Sequence, residues 1–365
     1  MTDQETLARV AAQFGVEAAP NDIRPLGNGL INDTYIATSA DGKKYVMQRI
    51  NNAIFKDVDL LQHNIDCVTA HIRHKLDEAG CRDTERRSLK FLPVAETGKS
   101  YLRDGDTYWR VMDYIPDSVT RETLDAEGAR ITGEAFGEFE AMLADIQIPL
   151  GETIPGFHDM ELRLRQFEEA IAADRAGRAE GVRDLIDELL DRGEAMTEAE
   201  RMHRRGELPK RICHCDTKLN NILFDRDGNV LCVIDLDTVM PSFVFSDFGD
   251  FLRTAANTGA EDASDLSTVG FDMNIFRAFA EGYLKTATFL TPTEKSMLPY
   301  AATLFPYMQA VRFLTDYLNG DTYYKVAYPD HNLVRARAQF RLLQSAEEKR
   351  GEMAQYIASL CEPSK

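Results

Sequence analysis

Two stretches decide the fold of this chain: Arg211 to Phe224, RICHCDTKLNNILF, and Val230 to Thr238, VLCVIDLDT. Each combines a short apolar run, suited to a β-strand, with polar residues suited to a loop. The first stretch contains the pattern H-x-D-x-x-x-x-N, and a further acid closes the apolar run of the second. Two strands that frame a pair of acid-and-amide clusters are therefore predicted near the middle of the chain.

These clusters match the needs of phosphoryl transfer from ATP. Such a reaction needs a carboxylate beside the acceptor hydroxyl, and an amide and a carboxylate that hold magnesium. Asp216 fits the first role, and Asn221 and Asp235 offer hard oxygen ligands for Mg²⁺. We predict Asp216 as the catalytic residue, the other two as metal ligands, and His214 as a structural residue that fixes the loop.

Composition limits the class of protein. The chain has 365 residues, enough for two lobes with a buried core, and its formal net charge is −18. So acidic a surface disfavours binding to nucleic acid or to an anionic membrane. No apolar run approaches the about 20 residues that a membrane span needs, and the start of the sequence shows no signal-peptide pattern. We expect a cytoplasmic protein, and its oligomeric state cannot be read from the sequence.

Six irregularly spaced cysteines favour free thiols over a disulfide framework. Cys213-His214-Cys215 could suggest a zinc site, but no second ligand pair accompanies it, and zinc takes four ligands. Alternation along a strand would also point His214 away from both cysteines. A zinc site is therefore not expected.

The first third of the chain predicts a small antiparallel sheet. Strands are expected at residues 23–26, 31–38, 45–50, 91–94 and 107–114, with a hairpin turn at Asp41-Gly42 and one long helix over residues 57–79. The turn Gly27-Asn28-Gly29 would let backbone N–H groups approach phosphates. Backbone from Met112 to Ile115, including Tyr114, could pair with an adenine edge, although an ordinary strand explains it equally well.

After Pro116 the pattern becomes helical, with breaks near Gly259, Thr291-Pro292 and Gly320-Asp321. We therefore predict an α+β fold with two lobes; the resemblance to kinases described next implies that this fold is protein-kinase-like. Its N-terminal lobe, residues 1–115, would bind nucleotide with a small antiparallel sheet. Its larger, mainly helical C-terminal lobe, residues 116–365, would carry catalysis and acceptor binding. Asp247-Phe248-Gly249 looks like the magnesium motif of protein kinases but lies too far along the chain, so we expect Asp247 to cap a helix.

The sequence resembles the superfamily of aminoglycoside phosphotransferases and choline kinases, and within it the bacterial N-acetylhexosamine 1-kinases. The similarity covers nearly the whole chain, in the stretches GNGLINDTY, YVMQRIN, WRVMDYI, HCDTKLNNILFD, VIDLDTVMP, DFGD, RFLTDYLNGDTYY and YPDHNLVRARAQ. The first six are shared across the superfamily. The last two narrow the resemblance to the hexosamine kinases.

This resemblance implies an ATP- and Mg²⁺-dependent kinase that phosphorylates the C1 hydroxyl of N-acetylglucosamine or N-acetylgalactosamine. It implies contacts with the nucleotide from the glycine turn, from Thr34 and Gln48 and from the backbone near Ile115. Arg312 and Tyr323 match positions that contact the sugar, where Asp216 also acts. Without the resemblance, Arg312 would be read as the i,i+4 ion-pair partner of Asp316.

One departure concerns the third strand. Kinases of this fold usually place a cation there to pair the α/β-phosphates, whereas this chain has Gln48 followed by Arg49, which would face the other way. The usual helix partner of that cation, a Glu, is replaced at best by Asp66. Two alternatives stay open: a related kinase acting on another sugar, choline or homoserine, and a nucleotide-binding pseudokinase. A cationic acceptor would need an acidic or aromatic cage, which Glu261, Asp262 and Asp265 could supply.

Overall fold

The computed structural model describes residues 3–27, 31–121 and 124–362. The strands within these ranges are β1 Ile23–Pro25, β2 Asp33–Thr38, β3 Lys44–Ile50, β4 Leu102–Asp104, β5 Thr107–Asp113, β6 Arg211–Cys213, β7 Ile222–Phe224, β8 Val230–Val233 and β9 Met240–Ser242. The α-helices are α1 Gln4–Gln13, α2 Val58–Glu78, α3 Thr84–Arg87, α4 Ala126–Leu143, α5 Met160–Ala173, α6 Arg183–Met196, α7 Glu198–Arg204, α8 Phe245–Ala255, α9 Met273–Thr286, α10 Pro292–Ser296, α11 Leu298–Leu318 and α12 His331–Cys361.

The chain divides into two compact units whose segments alternate along the sequence. The first unit comprises Met1–Thr120, Asp145–Pro155 and Ile222–Met240; the second comprises Arg121–Ala144, Gly156–Asn221 and Pro241–Lys365. A small antiparallel sheet dominates the first unit and helices dominate the second, so the predicted kinase-like fold class is confirmed. The single boundary between residues 115 and 116 stays a prediction.

The sheet of the first unit has the order β1-β2-β3-β5-β4, with neighbouring strands antiparallel. Apolar side chains of α1 and of one sheet face form its core, among them Val10, Met47 and Trp109, each at most 1% exposed. Burying a side chain of this size stabilises the fold by about 1.5–3 kcal/mol. The register sets Gln48 opposite Thr34 on one side and opposite Arg110 on the other. Three polar side chains thus stand in a row across the centre of the sheet.

Most of the predicted strands and the long helix are confirmed. The Asp41-Gly42 turn joins β2 to β3, although the loop is longer than two residues, since the Ser39 N–H donates to the Lys43 carbonyl. The strand predicted at residues 91–94 is wrong: only Phe91 forms an isolated bridge, with Met112. The sheet edge is instead taken by β4, which the sequence pattern did not reveal.

The second unit is built from helices packed so closely that some contacts admit only glycine. A Cβ on Gly133 of α4 would stand 2.3 Å from the Phe279 carbonyl oxygen, and one on Gly282 of α9 would stand 2.0 Å from that of Arg130. Real Cβ atoms do not approach backbone oxygen so closely, so these two glycines set the spacing between α4 and α9. The predicted breaks near Gly259, Pro292 and Gly320 all fall between helices. Within the described ranges, no helix has the length and apolarity to cross a membrane.

Candidate active site

The loop after β6 carries the predicted catalytic residue and is held by a buried carboxylate. Asp247, fully buried in the first turn of α8, accepts the His214 and Cys215 N–H groups, both at 2.7 Å. The Thr217 hydroxyl donates to the Asp247 carbonyl, also at 2.7 Å. Cys215 takes the left-handed conformation, φ 63°, which turns the chain sharply. The sequence suggested that Asp247 caps its own helix, and this prediction is wrong. Its side chain instead fixes the backbone of a loop that is distant in sequence.

His214 has the structural role predicted for it. Its side chain is fully buried, with the rings of Phe136 and Phe139 edge-on at centroid distances of 5.6 and 5.9 Å. Its Nδ1 accepts the N–H of Asp216 at 3.3 Å, so this ring nitrogen carries no proton. The imidazole thereby supports the backbone of the catalytic residue from inside the unit.

Asp216 is partly exposed at the tip of this loop, with two neighbours that orient it. The Lys218 ammonium lies 2.7 Å from the Asp216 carboxylate, and the Asn221 side-chain nitrogen donates to the Asp216 carbonyl at 2.8 Å. Sequence reasoning missed Lys218, although its position two residues after the acid was a usable signal. The loop therefore combines a carboxylate, a cation and an oriented amide.

Asp235, the other predicted metal ligand, belongs to the first unit. It follows β8, is exposed, and has φ 62°, a left-handed conformation that costs a non-glycine residue about 1–3 kcal/mol. Two residues later, Asp237 is only 3% exposed. Its carboxylate lies 2.5 Å from the Arg110 guanidinium and accepts from the Asn32 amide at 2.6 Å, and its carbonyl accepts the Thr153 hydroxyl at 2.9 Å. The buried neighbour thus anchors the turn that presents Asp235.

The donor chemistry of these residues fits magnesium. The amide nitrogen of Asn221 is occupied by the Asp216 carbonyl, so the atom it can offer a cation is its oxygen. Asp235 offers a carboxylate on an exposed turn. Carboxylate and amide oxygens are the ligands that Mg²⁺ prefers, so each of these two residues offers a suitable donor atom.

The residues predicted to contact the nucleotide form hydrogen bonds with other residues of the first unit. Gln48 donates to the Thr34 hydroxyl at 3.1 Å and accepts from the Arg110 Nε at 2.9 Å. The Tyr114 N–H donates to the Lys44 carbonyl at 3.2 Å, and the Ile115 carbonyl accepts from a serine hydroxyl at 2.7 Å. Gly27 has φ 68°, as the predicted turn needs, whereas Asn28 and Gly29 lie outside the described residues.

Arg312 on α11 is not the partner of Asp316. The Asp316 carboxylate accepts the backbone N–H groups of Thr322, Tyr323 and Tyr324 at 2.8–2.9 Å and is only 4% exposed. No carboxylate among the described residues pairs with Arg312. Its guanidinium lies 5.6 Å from the Phe157 ring centre and 5.7 Å from that of Tyr324, and it donates to Gln309 at 3.3 Å.

A second arginine increases the positive charge around this aromatic group. Arg163 donates to the Gly156 and Phe157 carbonyls at 3.0 and 2.8 Å, and its buried Nε has no hydrogen-bond partner in the described ranges. Burial, and then repulsion from Arg312, lowers the pKa of Arg163 to about 10, so it stays cationic at neutral pH. We call Phe157, Arg163, Arg312, Tyr323 and Tyr324 the arginine–aromatic cluster.

Electrostatic neighbours connect this cluster to the catalytic loop. Burial, and then Arg312, Arg163 and Arg253, lowers the pKa of His158 well below its usual range. Arg253 pairs with Asp250 at 3.2 Å. Burial raises the pKa of Asp250, and repulsion from Asp216 adds to this rise. All of these groups belong to the second unit.

One of the two buried cysteines beside His214, Cys213, belongs to a different cluster from the one that the cysteine spacing suggested. All six cysteines are free thiols. Ligand atoms of Cys213, Glu140 and Asp247 lie within 4.8 Å of one another, but both Asp247 oxygens already accept backbone N–H groups. Burial, followed by the charge of Asp247, raises the pKa of Glu140 well above its usual range, so Glu140 holds a proton. Glu140 and Asp247 are thus two neighbouring buried acids behind the catalytic loop, and the Tyr283 hydroxyl donates to the Glu140 carboxyl.

The kinase-like fold and the family match define the chain as a phosphotransferase. Residues 22–289 match the phosphotransferase enzyme family, and the chain belongs to this family. An aminoglycoside phosphotransferase from Alicyclobacillus acidocaldarius is similar in fold, with 14% identity, 96% of each chain covered and a TM-score of 0.62. A choline/ethanolamine kinase family protein from Mesorhizobium loti has 17% identity, 99% coverage of each chain and a TM-score of 0.53. Amicoumacin kinase hAmiN, in complex with AMP-PNP, Ca²⁺ and Ami, has 15% identity, 96% and 94% coverage and a TM-score of 0.58.

Proposed function

We propose that this kinase transfers the γ-phosphoryl group of ATP, with Mg²⁺, to the anomeric C1 hydroxyl of an N-acetylhexosamine, giving the sugar 1-phosphate and ADP. The observation that carries the sugar assignment is Arg312. Because Asp316 is occupied by backbone N–H groups, the Arg312 guanidinium faces aromatic rings with no carboxylate among its described partners. Flat apolar faces beside fixed N–H donors suit a sugar ring with hydroxyls and an acetamide carbonyl.

In this proposal Asp216 accepts or orients the proton of the C1 hydroxyl as the hydroxyl attacks phosphorus. Its partly exposed carboxylate can reach an acceptor, while His214 and Asn221 keep its backbone in place. Lys218 supplies positive charge beside the developing negative charge of the transferred group. The Asn221 oxygen and the Asp235 carboxylate would hold Mg²⁺, which when bound neutralises phosphate charge. Gly27, with Asn28 and Gly29, would cover the phosphates, and Thr34, Gln48 and the backbone near Met112, Tyr114 and Ile115 would face the nucleotide.

Charge distribution argues against a cationic acceptor such as choline. Arg163 and Arg312 already repel each other, and a bound ammonium would add a third positive charge. The acids considered as a cage have other partners: Glu261 pairs with Arg253 at 2.9 Å, Asp262 lies 3.1 Å from His331, and Asp265 accepts the Ser267 N–H at 3.0 Å. A neutral acceptor rich in oxygen atoms fits this environment better.

The decisive experiment measures ADP release with MgATP over a panel of N-acetylglucosamine, N-acetylgalactosamine, other hexoses, choline and homoserine. The phosphate position in the product is then assigned by phosphorus–proton NMR. We expect turnover of an N-acetylhexosamine with phosphate on C1. Turnover of choline or homoserine without any hexosamine would contradict the sugar assignment. Nucleotide binding without turnover of any acceptor would favour the pseudokinase.

A substitution at Arg312 tests the acceptor site separately. Arg312→Ala should lower kcat/KM for the sugar by about 10–100-fold, the loss of a charged hydrogen bond of about 1.5–3 kcal/mol, and leave KM for ATP within about twofold. Arg192→Ala is the matched control, because Arg192 also stacks on a ring, 5.2 Å from the centre of Phe340, but is paired with Glu347. Equal losses in sugar use and ATP binding for Arg312→Ala would indicate a structural role.

A further inference from the structure

The cation that third-strand Gln48 lacks is present on the neighbouring strand. Arg110 of β5 stands directly opposite Gln48 of β3, and its Nε donates to the Gln48 side-chain oxygen at 2.9 Å. Its Nη1 donates to Gln62 of α2 at 3.4 Å, so a glutamine stands where a glutamate partner was expected. Asp66 instead accepts from the Ser100 hydroxyl at 2.5 Å. The cation expected at the Gln48 position of β3 is therefore found on the neighbouring strand β5, as Arg110.

Arg110 is too deeply buried to meet a phosphate from solvent. It is 2% exposed, and each of its three guanidinium nitrogens has a partner within the first unit: Gln48, Gln62 and Asp237. Its flat face lies 5.5 Å from the Phe91 ring centre. A phosphate could reach the remaining N–H groups only if the residues that bury this side chain moved apart. Arg110 therefore acts on other residues of the chain rather than on the nucleotide.

The partner of Arg110 leads directly to the predicted metal ligand. One oxygen of Asp237 lies 2.5 Å from Arg110 and the other accepts from Asn32 at 2.6 Å. The Asn32 oxygen in turn accepts the Asn51 N–H at 2.9 Å, at the end of β3. Asp235, two residues before Asp237, is exposed and left-handed at φ 62°. A strained, exposed residue keeps one orientation only when its surroundings fix it.

We propose that Arg110 is a positioning residue that takes over from the third-strand cation: by pairing with Asp237 it holds the turn in which Asp235 presents its carboxylate to the metal. This inference rests on the assignment of Asp235 as a metal ligand under the proposed function. The alternative is a buried ion pair that serves stability alone, which is common enough in proteins to need a direct test.

The test measures the affinity of AMP-PNP by isothermal titration calorimetry across a range of Mg²⁺ concentrations and in EDTA, without any acceptor. Arg110→Met should raise the Mg²⁺ concentration for half-maximal effect by about tenfold or more, as expected when a ligand's supporting contact is lost. Affinity in EDTA should stay within about twofold. Arg110→Lys keeps the charge near Asp237 and should fall between wild type and Arg110→Met.

The matched control is Arg211→Met, which breaks another largely buried pair. Arg211 binds Glu294 with two hydrogen bonds of 2.9 and 3.0 Å, and Glu294 is 0% exposed. Its Mg²⁺ dependence should equal that of wild type even where its stability falls. If Arg110→Met does not fold, Asp237→Asn removes the same ion pair with an isosteric side chain and should show the same Mg²⁺ shift.

Three results would overturn the inference. Unchanged Mg²⁺ dependence in folded Arg110 and Asp237 variants leaves the pair a stability element only. A loss of AMP-PNP affinity in EDTA for Arg110→Met makes Arg110 a nucleotide ligand. A wild-type protein that binds AMP-PNP without any Mg²⁺ effect removes the metal role of Asp235, and with it the proposed kinase mechanism. Because no acceptor is present, a wrong sugar assignment would leave this experiment unaffected.

Discussion

The turns at Asp216 and Asp235 each hold a solvent-accessible carboxylate in place, but through different contacts. Each presents a carboxylate that solvent can reach, and each is anchored by a carboxylate that solvent cannot reach: Asp247 for the first and Asp237 for the second. Asp247 is neutralised by two backbone N–H groups of the loop itself. Asp237 is neutralised by the side chains of Arg110 and Asn32.

This difference has consequences for substitution. Backbone N–H groups are present whatever the residue, so the anchor at Asp247 depends on one side chain only. The anchor at Asp237 depends on a charge pair, and removing one partner leaves a buried charge uncompensated. The Asp216 turn should therefore tolerate changes around its anchor, and the Asp235 turn should respond to changes at both Arg110 and Asn32, which supply the partners of Asp237.

The largest expected effect is the loss of turnover when the carboxylate of Asp216 is removed. Asp216→Asn should lower kcat by about 10²–10⁴-fold, the usual contribution of a positioned general base, with nucleotide affinity largely kept. Steady-state ADP release and AMP-PNP titration measure the two quantities. Asp225→Asn, in the turn between β7 and β8, is the control, and near-normal turnover of Asp216→Asn would contradict the assignment.

The next effect is a loss of stability when Asp247, which anchors the Asp216 loop, is changed. Asp247→Asn should lower the free energy of unfolding by about 3 kcal/mol, because two charge-assisted hydrogen bonds are replaced by one ordinary bond and one N–H facing an amide nitrogen. Urea denaturation followed by circular dichroism measures this. Asp41→Asn is the matched control, since Asp41 also accepts a loop N–H, that of Lys43 at 3.0 Å, but is exposed. Equal, small losses in both variants would show that Asp247 does not anchor the loop.

A double-mutant cycle tests the contrast between the anchors. Arg110→Met and Asp237→Leu should each destabilise the protein, and the double variant should be more stable than the sum of the single losses predicts, by about 2 kcal/mol. The free energies come from the same urea titrations. Additive losses would mean that Arg110 and Asp237 do not depend on each other.

The last expected effect is a pH dependence of the unfolding free energy, set by Glu140 beside Asp247, behind the Asp216 loop. Glu140 has its pKa raised by burial and by Asp247, so the folded state holds a proton that the unfolded state releases near pH 4.5. The stability from this group is full below about pH 4.5 and is lost as pH rises toward the folded-state pKa, by at most about 1.4 kcal/mol per pH unit. Glu140→Gln should flatten this slope in urea titrations between pH 5 and 8. Parallel slopes for both proteins would show that Glu140 is ionised in the folded state.

Local patterns in the sequence identified most of what depends on neighbouring residues. The strands β2, β3 and β5, the long helix α2 and the loop with Asp216 follow from alternation, helical spacing and a short motif. The structural role of His214 followed as well. Lys218 had a local signal that was overlooked.

Contacts between distant segments were not predictable in this way. Arg110 and Asp237 are far apart in the chain, and nothing near either residue indicates the other. The i,i+4 spacing suggested an Arg312–Asp316 ion pair. Instead, the Asp316 carboxylate accepts three backbone N–H groups of the following loop. A buried carboxylate is stabilised more by several hydrogen bonds than by one exposed ion pair. The strand expected at 91–94 is reduced to a single bridge, between Phe91 and Met112, whereas β4 pairs with the other end of β5, at Thr107 to Trp109.

Because the segments of the two compact units alternate along the sequence, the first unit cannot complete its structure early in synthesis on the ribosome. The sheet unit includes Ile222–Met240, so it lacks part of its structure until Met240 has emerged, well over a hundred residues after its first segment ends at Thr120. At about 5–20 residues per second, this is a delay of roughly 6–24 s. Throughout it, the first segment holds Arg110 without the counter-ion that will neutralise it. Nascent chains of this kinase should therefore be most vulnerable to misfolding and to proteases just before β8 and its turn appear.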